Sequence, residues 1–162
     1  MQRWGEPRNT QDADLSLLTG FGREAVFVDS LLARLAPRRR DARDFALRYR
    51  VLLLRASNGI PLDVALGAMP FEEHSVERSS FWHVTDTAGI RTCSAEDLVV
   101  YKAFAARERD WLDVEGILLR QGARLDLRQI RSELDPLLAL KEDGESGPRL
   151  WALCRKCGLS VP

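Results

Sequence analysis

The sequence predicts an α/β (α+β-like) fold, in which a small mixed β-sheet with an Asn-Gly hairpin is flanked by helices and followed by a helical C-terminal part. Two observations support this. Extended apolar runs and the Asn58-Gly59 dipeptide precede residue 93, whereas helical periodicity dominates after it. Strands first and helices after are typical of an α+β domain. In a chain of 162 residues we therefore expect one domain, with an α/β core over 1–93 and its helical part over 94–162.

The elements of the first half follow from apolar spacing. Residues 10–19 end in a leucine-rich run of strand length, and residues 23–36 carry apolar side chains at helical spacing. A short helix is expected over 70–78, and strands over 81–85 and 89–93.

The hairpin is predicted from two extended runs, 45–57 and 60–66, separated by Asn58-Gly59. Both central residues of a type I′ turn need positive φ, which Asn and Gly tolerate best. A two-residue loop of this kind places Leu54 opposite Asp63.

The sequence predicts helices throughout the C-terminal part. Ser94 is an expected N-cap, with a carboxylate three residues later, and opens a helix that continues to about Gln121. Further helices are expected over 126–141 and 149–156.

Composition excludes several classes of protein. The chain has 24 Lys+Arg and 24 Asp+Glu, so net charge alone does not hold it on nucleic acid. It lacks an apolar run of the ~20 residues that span a bilayer and a leading signal pattern, so we expect no membrane partner and a cytoplasmic location. Residues 34–55 nevertheless carry eight arginines and two aspartates. This cluster is either a solvated surface or a landing site for a polyanion such as RNA.

Asp12 and Asp14 stand two residues apart at the start of a predicted strand. Because side chains alternate across a strand, the two carboxylates point to the same side. A hard divalent cation with oxygen ligands relieves their mutual repulsion, and we expect this cation to be Mg²⁺.

Asp63 lies inside the apolar run 60–66, which we expect to form a central strand covered on both faces. An ionised carboxylate in such a place needs a partner. One alternative is an ion pair with a nearby arginine. The other is a third metal ligand, brought beside Asp12 and Asp14 by strand pairing, as two-metal phosphoryl or nucleotidyl transfer needs.

Residues 8–15, RNTQDADL, resemble the R-x-T-x-D-x-D-hydrophobic signature of small bacterial nucleotidyltransferases. The most similar group is the AbiEii type, the toxin half of abortive-infection toxin–antitoxin pairs. Residues 60–64 resemble that family's third-carboxylate strand. Residues 94–98 and 102–113 resemble its later helix motif, EDL…K…A-x-R-x-x-D-x-x-D. The three motifs keep the family's order and spacing and cover about residues 1–122.

The resemblance implies a nucleotidyltransferase fold and transfer of a nucleoside monophosphate from an NTP–Mg²⁺ complex to an RNA (a tRNA end is one candidate) or protein acceptor. Asp12, Asp14 and Asp63 would be the catalytic and metal-binding residues, and Asp63 would help to deprotonate the acceptor. A cognate antitoxin would be a partner.

The resemblance also places Lys102 against the NTP phosphates. In an unbroken helix, Lys102, Arg109 and Asp113 fall within about 40° of one face. That stripe is equally compatible with a salt-bridged solvent face. The nucleotide-binding residues implied are Arg8, Thr10, Lys102 and Arg109, and the other motif residues are Arg107, Asp110 and Asp113.

One feature departs from the family pattern. The family has a Gly-Gly or Gly-Ser pair at a helix N-terminus ahead of the DxD, where backbone N–H groups bind phosphate. No such pair precedes Asp12, and Trp4-Gly5 resembles the end of that helix. The alternatives are an upstream start, a truncated gene or loss of NTP turnover. Besides an active transferase, we therefore consider a catalytically inactive binding module and a metal-dependent phosphoester hydrolase that uses the same carboxylates.

Overall fold

The computed structural model describes residues 1–7 and 12–161, and these form an α+β structure. Across those residues, seven α-helices accompany a four-stranded mixed sheet and a two-stranded antiparallel sheet. The predicted fold class is confirmed. The described residues group into two compact units, 12–77 and 1–7 with 78–161. The division falls after residue 77, so the second sheet groups with the helices that follow it.

The first unit holds the four-stranded sheet. Its elements are β1 (Ala13–Leu18), α1 (Glu24–Leu32), β2 (Ala36–Pro37), α2 (Ala42–Tyr49), β3 (Val51–Arg55), β4 (Pro61–Gly67) and α3 (Pro70–Glu77). The strand order is β1-β4-β3-β2, with β1 and β4 parallel and the other two pairs antiparallel. The strand that carries Asp63, β4, is therefore central, as expected.

Only one face of this sheet is fully buried. Leu52, Leu54, Val64 and Leu66 lie on that face, and they pack with buried residues of α1 and α2, namely Val28, Ala42 and Ala46. The opposite face, which carries Asp63, is half-buried. The expectation that β4 is covered on both faces is therefore wrong, and Asp63 has access to solvent.

The β3–β4 hairpin has a three-residue loop and not the predicted two-residue turn. Ala56 N donates to Ile60 O at 2.8 Å, and Gly59 alone in the loop has positive φ, +87°. This is the geometry of a turn closed by a left-handed glycine. It shifts the register by one residue, so that Leu53, and not Leu54, lies opposite Asp63. A one-residue shift moves side chains to the other face, and Asp63 therefore shares a face with Leu53.

The segment 45–49, predicted as extended, belongs to helix α2. Ala42 and Ala46 are good helix formers, and their small side chains are buried in the core. The helix ends at Arg50 in the left-handed region, with φ 56°. The Arg50 guanidinium donates to Glu24 and to Leu66 O, which offsets the strain of this conformation.

The second unit is mostly helical. Its elements are β5 (Ser80–His83), β6 (Gly89–Thr92), α4 (Ala95–Ala105), α5 (Glu108–Gln121), a 3₁₀ turn (Gly122–Arg124), α6 (Leu127–Lys141) and α7 (Ser146–Lys156). The predicted N-cap is confirmed, since Ser94 Oγ accepts from Asp97 N at 3.0 Å. No helix within the described ranges has the length and apolar character needed to cross a bilayer.

The helix predicted to run from Ser94 to Gln121 is broken in two. Ala106 adopts φ 56° and ends α4, and α5 begins two residues later at Glu108. Alanine is the best helix former, so nothing in the sequence marks this position as a break. The common face expected for Lys102, Arg109 and Asp113 therefore does not exist as a single helical stripe.

Candidate functional site

Two of the predicted carboxylates face each other across the parallel strands β1 and β4. Asp14 and Asp63 are direct partners in the strand register. Neighbouring strands lie about 4.8 Å apart, and partners in register point to the same face. Asp12 precedes β1 by one residue, and both it and Asp14 are exposed. Strand pairing thus brings Asp63 beside the DxD segment, as the sequence predicted.

Asp63, the third ligand in the predicted metal site, forms an ion pair with an arginine. Arg38 Nη2 donates to Asp63 Oδ1 at 2.5 Å, with the two side chains 22% and 31% exposed. Within 1–7 and 12–161, no three His, Cys, Asp or Glu side chains converge on one point that could hold a metal ion. The donor chemistry of Asp12, Asp14 and Asp63 nevertheless suits Mg²⁺, which prefers carboxylate oxygens. Of the two alternatives for Asp63, the ion pair with an arginine is present. The strand pairing that a metal site would need is present too, and the role of metal ligand stays a prediction.

Arg38 was not among the predicted site residues, although it belongs to the arginine cluster. It follows β2, and its backbone N–H donates to Leu53 O at 3.0 Å. This bond extends the β2–β3 register by one residue and places Arg38 next to Leu53. Strand β2 has only two residues, one of them Pro37. Sequence periodicity does not detect so short a strand, so no signal pointed to Arg38 in particular.

Lys102 lies between two buried carboxylates in the second unit. Its Nζ is 3.0 Å from Asp110 Oδ1 and 2.9 Å from Asp113 Oδ2, whose side chains are only 4% and 7% exposed. Arg107 Nε adds a 2.7 Å contact to Asp110 Oδ2. Burial acts to raise the pKa of Asp110, but the hydrogen bonds from Arg107 and Lys102 outweigh it and hold that pKa below its usual value. The motif thus ties α4 to α5 by an internal ion-pair network.

Another buried network involves Asp97 of the EDL segment. Its carboxylate is fully buried and accepts from Arg78 Nη2 at 2.6 Å, and Arg78 Nη1 donates to Glu133 at 2.8 Å. A buried carboxylate needs such a partner, so Asp97 has a structural role within this unit.

Arg109, predicted to contact nucleotide, is exposed on α5. Arg8 and Thr10, predicted for the metal loop or the triphosphate, lie outside the described residues. The nucleotide contacts of Arg8, Thr10, Lys102 and Arg109 stay predictions.

Half of the eight arginines in the cluster are paired with acidic neighbours in the described part of the chain. Four of its members form ion pairs: Arg38 with Asp63, Arg39 with Asp41, Arg43 with Asp29, and Arg50 with Glu24. The pairs of Arg39 and Arg43 are bidentate. Much of the cluster's positive charge is therefore neutralised locally, which weakens the polyanion hypothesis.

No protein-family model matches this chain, and a search of curated proteins gives no match either.

Proposed function

We propose that this chain is an Mg²⁺-dependent nucleotidyltransferase of the AbiEii type, toxin-like, that transfers a nucleoside monophosphate from an NTP to an RNA or protein acceptor. The observation that carries the proposal is the pairing of Asp14 with Asp63 across β1 and β4, with Asp12 two residues before Asp14. A DxD segment next to a third carboxylate on a neighbouring strand is the arrangement that two-metal transfer chemistry needs.

Each carboxylate has a role in the proposal. Asp12 and Asp14 would hold Mg²⁺ through their carboxylate oxygens. Bound Mg²⁺ supplies charge neutralisation of the phosphates and activation of the attacking oxygen. Asp63 would complete the site and accept the proton of the acceptor hydroxyl at Oδ2, the oxygen not held by Arg38. The acceptor oxygen bonds to the α-phosphorus as the bond to the β-phosphate breaks, and pyrophosphate leaves.

Access to the site is compatible with this chemistry. The face of the sheet that carries Asp14 and Asp63 is open to solvent in part, whereas the core lies on the opposite face. A substrate can therefore approach the carboxylates of this unit without disturbing its core. A cytoplasmic location and a cognate antitoxin belong to the same proposal.

The test is transfer of label from each of four α-³²P-labelled NTPs, with Mg²⁺, to total RNA, purified tRNA or protein. We expect incorporation by the full chain, and its loss in Asp14→Asn and in Asp63→Asn. Asp29→Asn is a matched control, because Asp29 is also paired with an arginine, Arg43, but lies on helix α1 and not on β1 or β4. Full activity in either of the first two variants would remove the metal assignment.

The two other candidate functions give different results in the same assay. A binding module would incorporate no label in any form of the protein. A metal-dependent phosphoester hydrolase would release nucleotides from RNA when NTP is omitted, and that release would also be lost in Asp63→Asn.

A further inference from the structure

We infer that Arg38 is a displaceable counter-ion of Asp63: its guanidinium holds the carboxylate in the metal-free protein, gives it up when a divalent cation binds, and then pairs with the phosphates of the NTP. This inference rests on the proposed function. It assigns a role to a residue that neither the motifs nor the family resemblance includes.

The first argument is position. Arg38, Leu53, Asp63 and Asp14 form one row across the four strands, since Arg38 bonds to Leu53, Leu53 pairs with Asp63, and Asp63 pairs with Asp14. Alternation of side chains puts the whole row on the half-buried face. The guanidinium reaches Asp63 from the β3 side, while Asp14 adjoins it from the β1 side. A cation held between Asp14 and Asp63 would therefore have Arg38 as its neighbour.

The second argument is the geometry of the pair. Arg38 contacts Asp63 through Nη2 alone, and its other side-chain nitrogens have no hydrogen-bond partner in the described part of the chain. Arg39 and Arg43 instead bind Asp41 and Asp29 through two nitrogens each. A pair with a single contact and partial solvent access is weaker than a bidentate pair of similar burial. The unused N–H groups form the planar fork that recognises phosphate oxygens.

The third argument is electrostatic competition. A divalent cation carries twice the charge of a guanidinium and can contact carboxylates on both strands at once, so it competes successfully for Asp63. Once it is bound, two neighbouring positive groups repel each other, and the guanidinium is driven from the carboxylate. The released guanidinium then lacks an anionic partner, and the triphosphate of the NTP would supply one.

The experiment measures Mn²⁺ binding to the full chain without nucleotide, by the loss of the electron paramagnetic resonance signal of free Mn²⁺. Removing the competing guanidinium in Arg38→Ala should tighten Mn²⁺ binding by roughly fivefold. Arg38→Lys, which keeps the charge, should stay near wild type. Arg43→Ala is the matched control and should change nothing, because its partner Asp29 is not in the row.

A double-variant comparison ties the effect to Asp63. Asp63→Asn should weaken Mn²⁺ binding, and in that background Arg38→Ala should no longer tighten it. Arg38→Ala should also weaken binding of NTP in the presence of Mg²⁺, measured by calorimetry, since the phosphate contact is lost. A purely structural role for Arg38 would not produce opposite changes in metal and nucleotide affinity.

The failure of this inference is distinguishable from failure of the proposed function. If Asp63→Asn weakens Mn²⁺ binding but Arg38→Ala leaves it unchanged or weaker, the counter-ion role is wrong and the metal site stands. If Asp63→Asn leaves Mn²⁺ binding unchanged, the metal assignment itself is wrong and both proposals fall. Circular dichroism of each variant verifies that it is folded.

Discussion

Asp14 on β1 lies directly opposite Asp63 on β4, so two carboxylates share one face of a parallel strand pair. Like charges placed opposite each other on a sheet destabilise the pairing unless a cation lies near. Here Arg38 supplies one positive charge to Asp63. We propose that a divalent cation also binds at this pair, since carboxylate oxygens are the ligands that Mg²⁺ prefers.

Divalent cations should therefore stabilise the folded protein. A ligand present at ten times its Kd, and bound only by the folded state, adds about 1.4 kcal/mol to the free energy of unfolding. We expect Mg²⁺ to raise the Tm of the wild type and to have much less effect on Asp63→Asn, as measured by differential scanning calorimetry. Asp29→Asn should respond like the wild type. An equal rise in Asp63→Asn would show that Mg²⁺ binds elsewhere.

Lys102 should be far more important for stability than an exposed lysine in an ion pair of similar length. Lys102→Met leaves Asp110 and Asp113 buried without their ammonium partner, which should lower the free energy of unfolding by about 3 kcal/mol. Lys156→Met breaks the 2.8 Å pair with Glu115, where the lysine is 70% exposed, and should leave the free energy of unfolding nearly unchanged. Urea denaturation measures both. Similar losses in the two variants would contradict the buried network.

Because the helix breaks between α4 and α5, replacing two adjacent alanines by glycine should change the free energy of unfolding in opposite directions. Ala106 has φ 56°, a conformation that glycine adopts without strain, so Ala106→Gly should stabilise the protein by about 1 kcal/mol. Ala105 is the last residue of α4 and is exposed, so Ala105→Gly should destabilise it by about 0.5 kcal/mol. A continuous helix through both positions would make both substitutions destabilising in the same denaturation experiment.

Asp143 should contribute a pH-dependent part of the stability. Its carboxylate accepts from the backbone N–H groups of Glu145 and Ser146, both at 3.0 Å, and from Ser146 Oγ at 2.8 Å. The hydrogen bonds from Ser146, together with Lys141, lower the pKa of Asp143 well below its usual value. Loss of these hydrogen bonds in Asp143→Ala should cost about 1 kcal/mol at pH 7.

Because the pKa of Asp143 is lower in the folded state than in the unfolded state, its contribution is complete above the unfolded value of about 3.9 and is lost as the pH falls towards the folded value. The stability difference between wild type and Asp143→Ala should therefore be constant from pH 7 to pH 5 and shrink below pH 4. Urea denaturation over that pH range measures it. A difference that does not change with pH would mean that the charge of Asp143 does not contribute to these hydrogen bonds.

Local patterns were sufficient for much of the fold. The strand before Thr19, the helix from Pro70 and the N-cap at Ser94 were each predictable, because spacing and capping chemistry are properties of neighbouring residues. The predicted encounter of Asp63 with the DxD segment also followed from strand pairing. The helix over 42–49 was missed, since its termination at Arg50 in the left-handed region depends on contacts with distant residues.

The sequence by itself determined that the chain has an apolar sheet with acidic residues on β1 and β4, because strand formation and side-chain alternation depend on residues close together along the chain. The tertiary structure alone decided that Leu53 lies beside Asp63 and that Arg38 forms an ion pair with that carboxylate. It also decided that Lys102 forms ion pairs with Asp110 and Asp113. These relationships depend on one residue of loop length, a two-residue strand and a helix break. The packing of whole helices and strands decides each of these three features, and the pattern of neighbouring residues does not predict them.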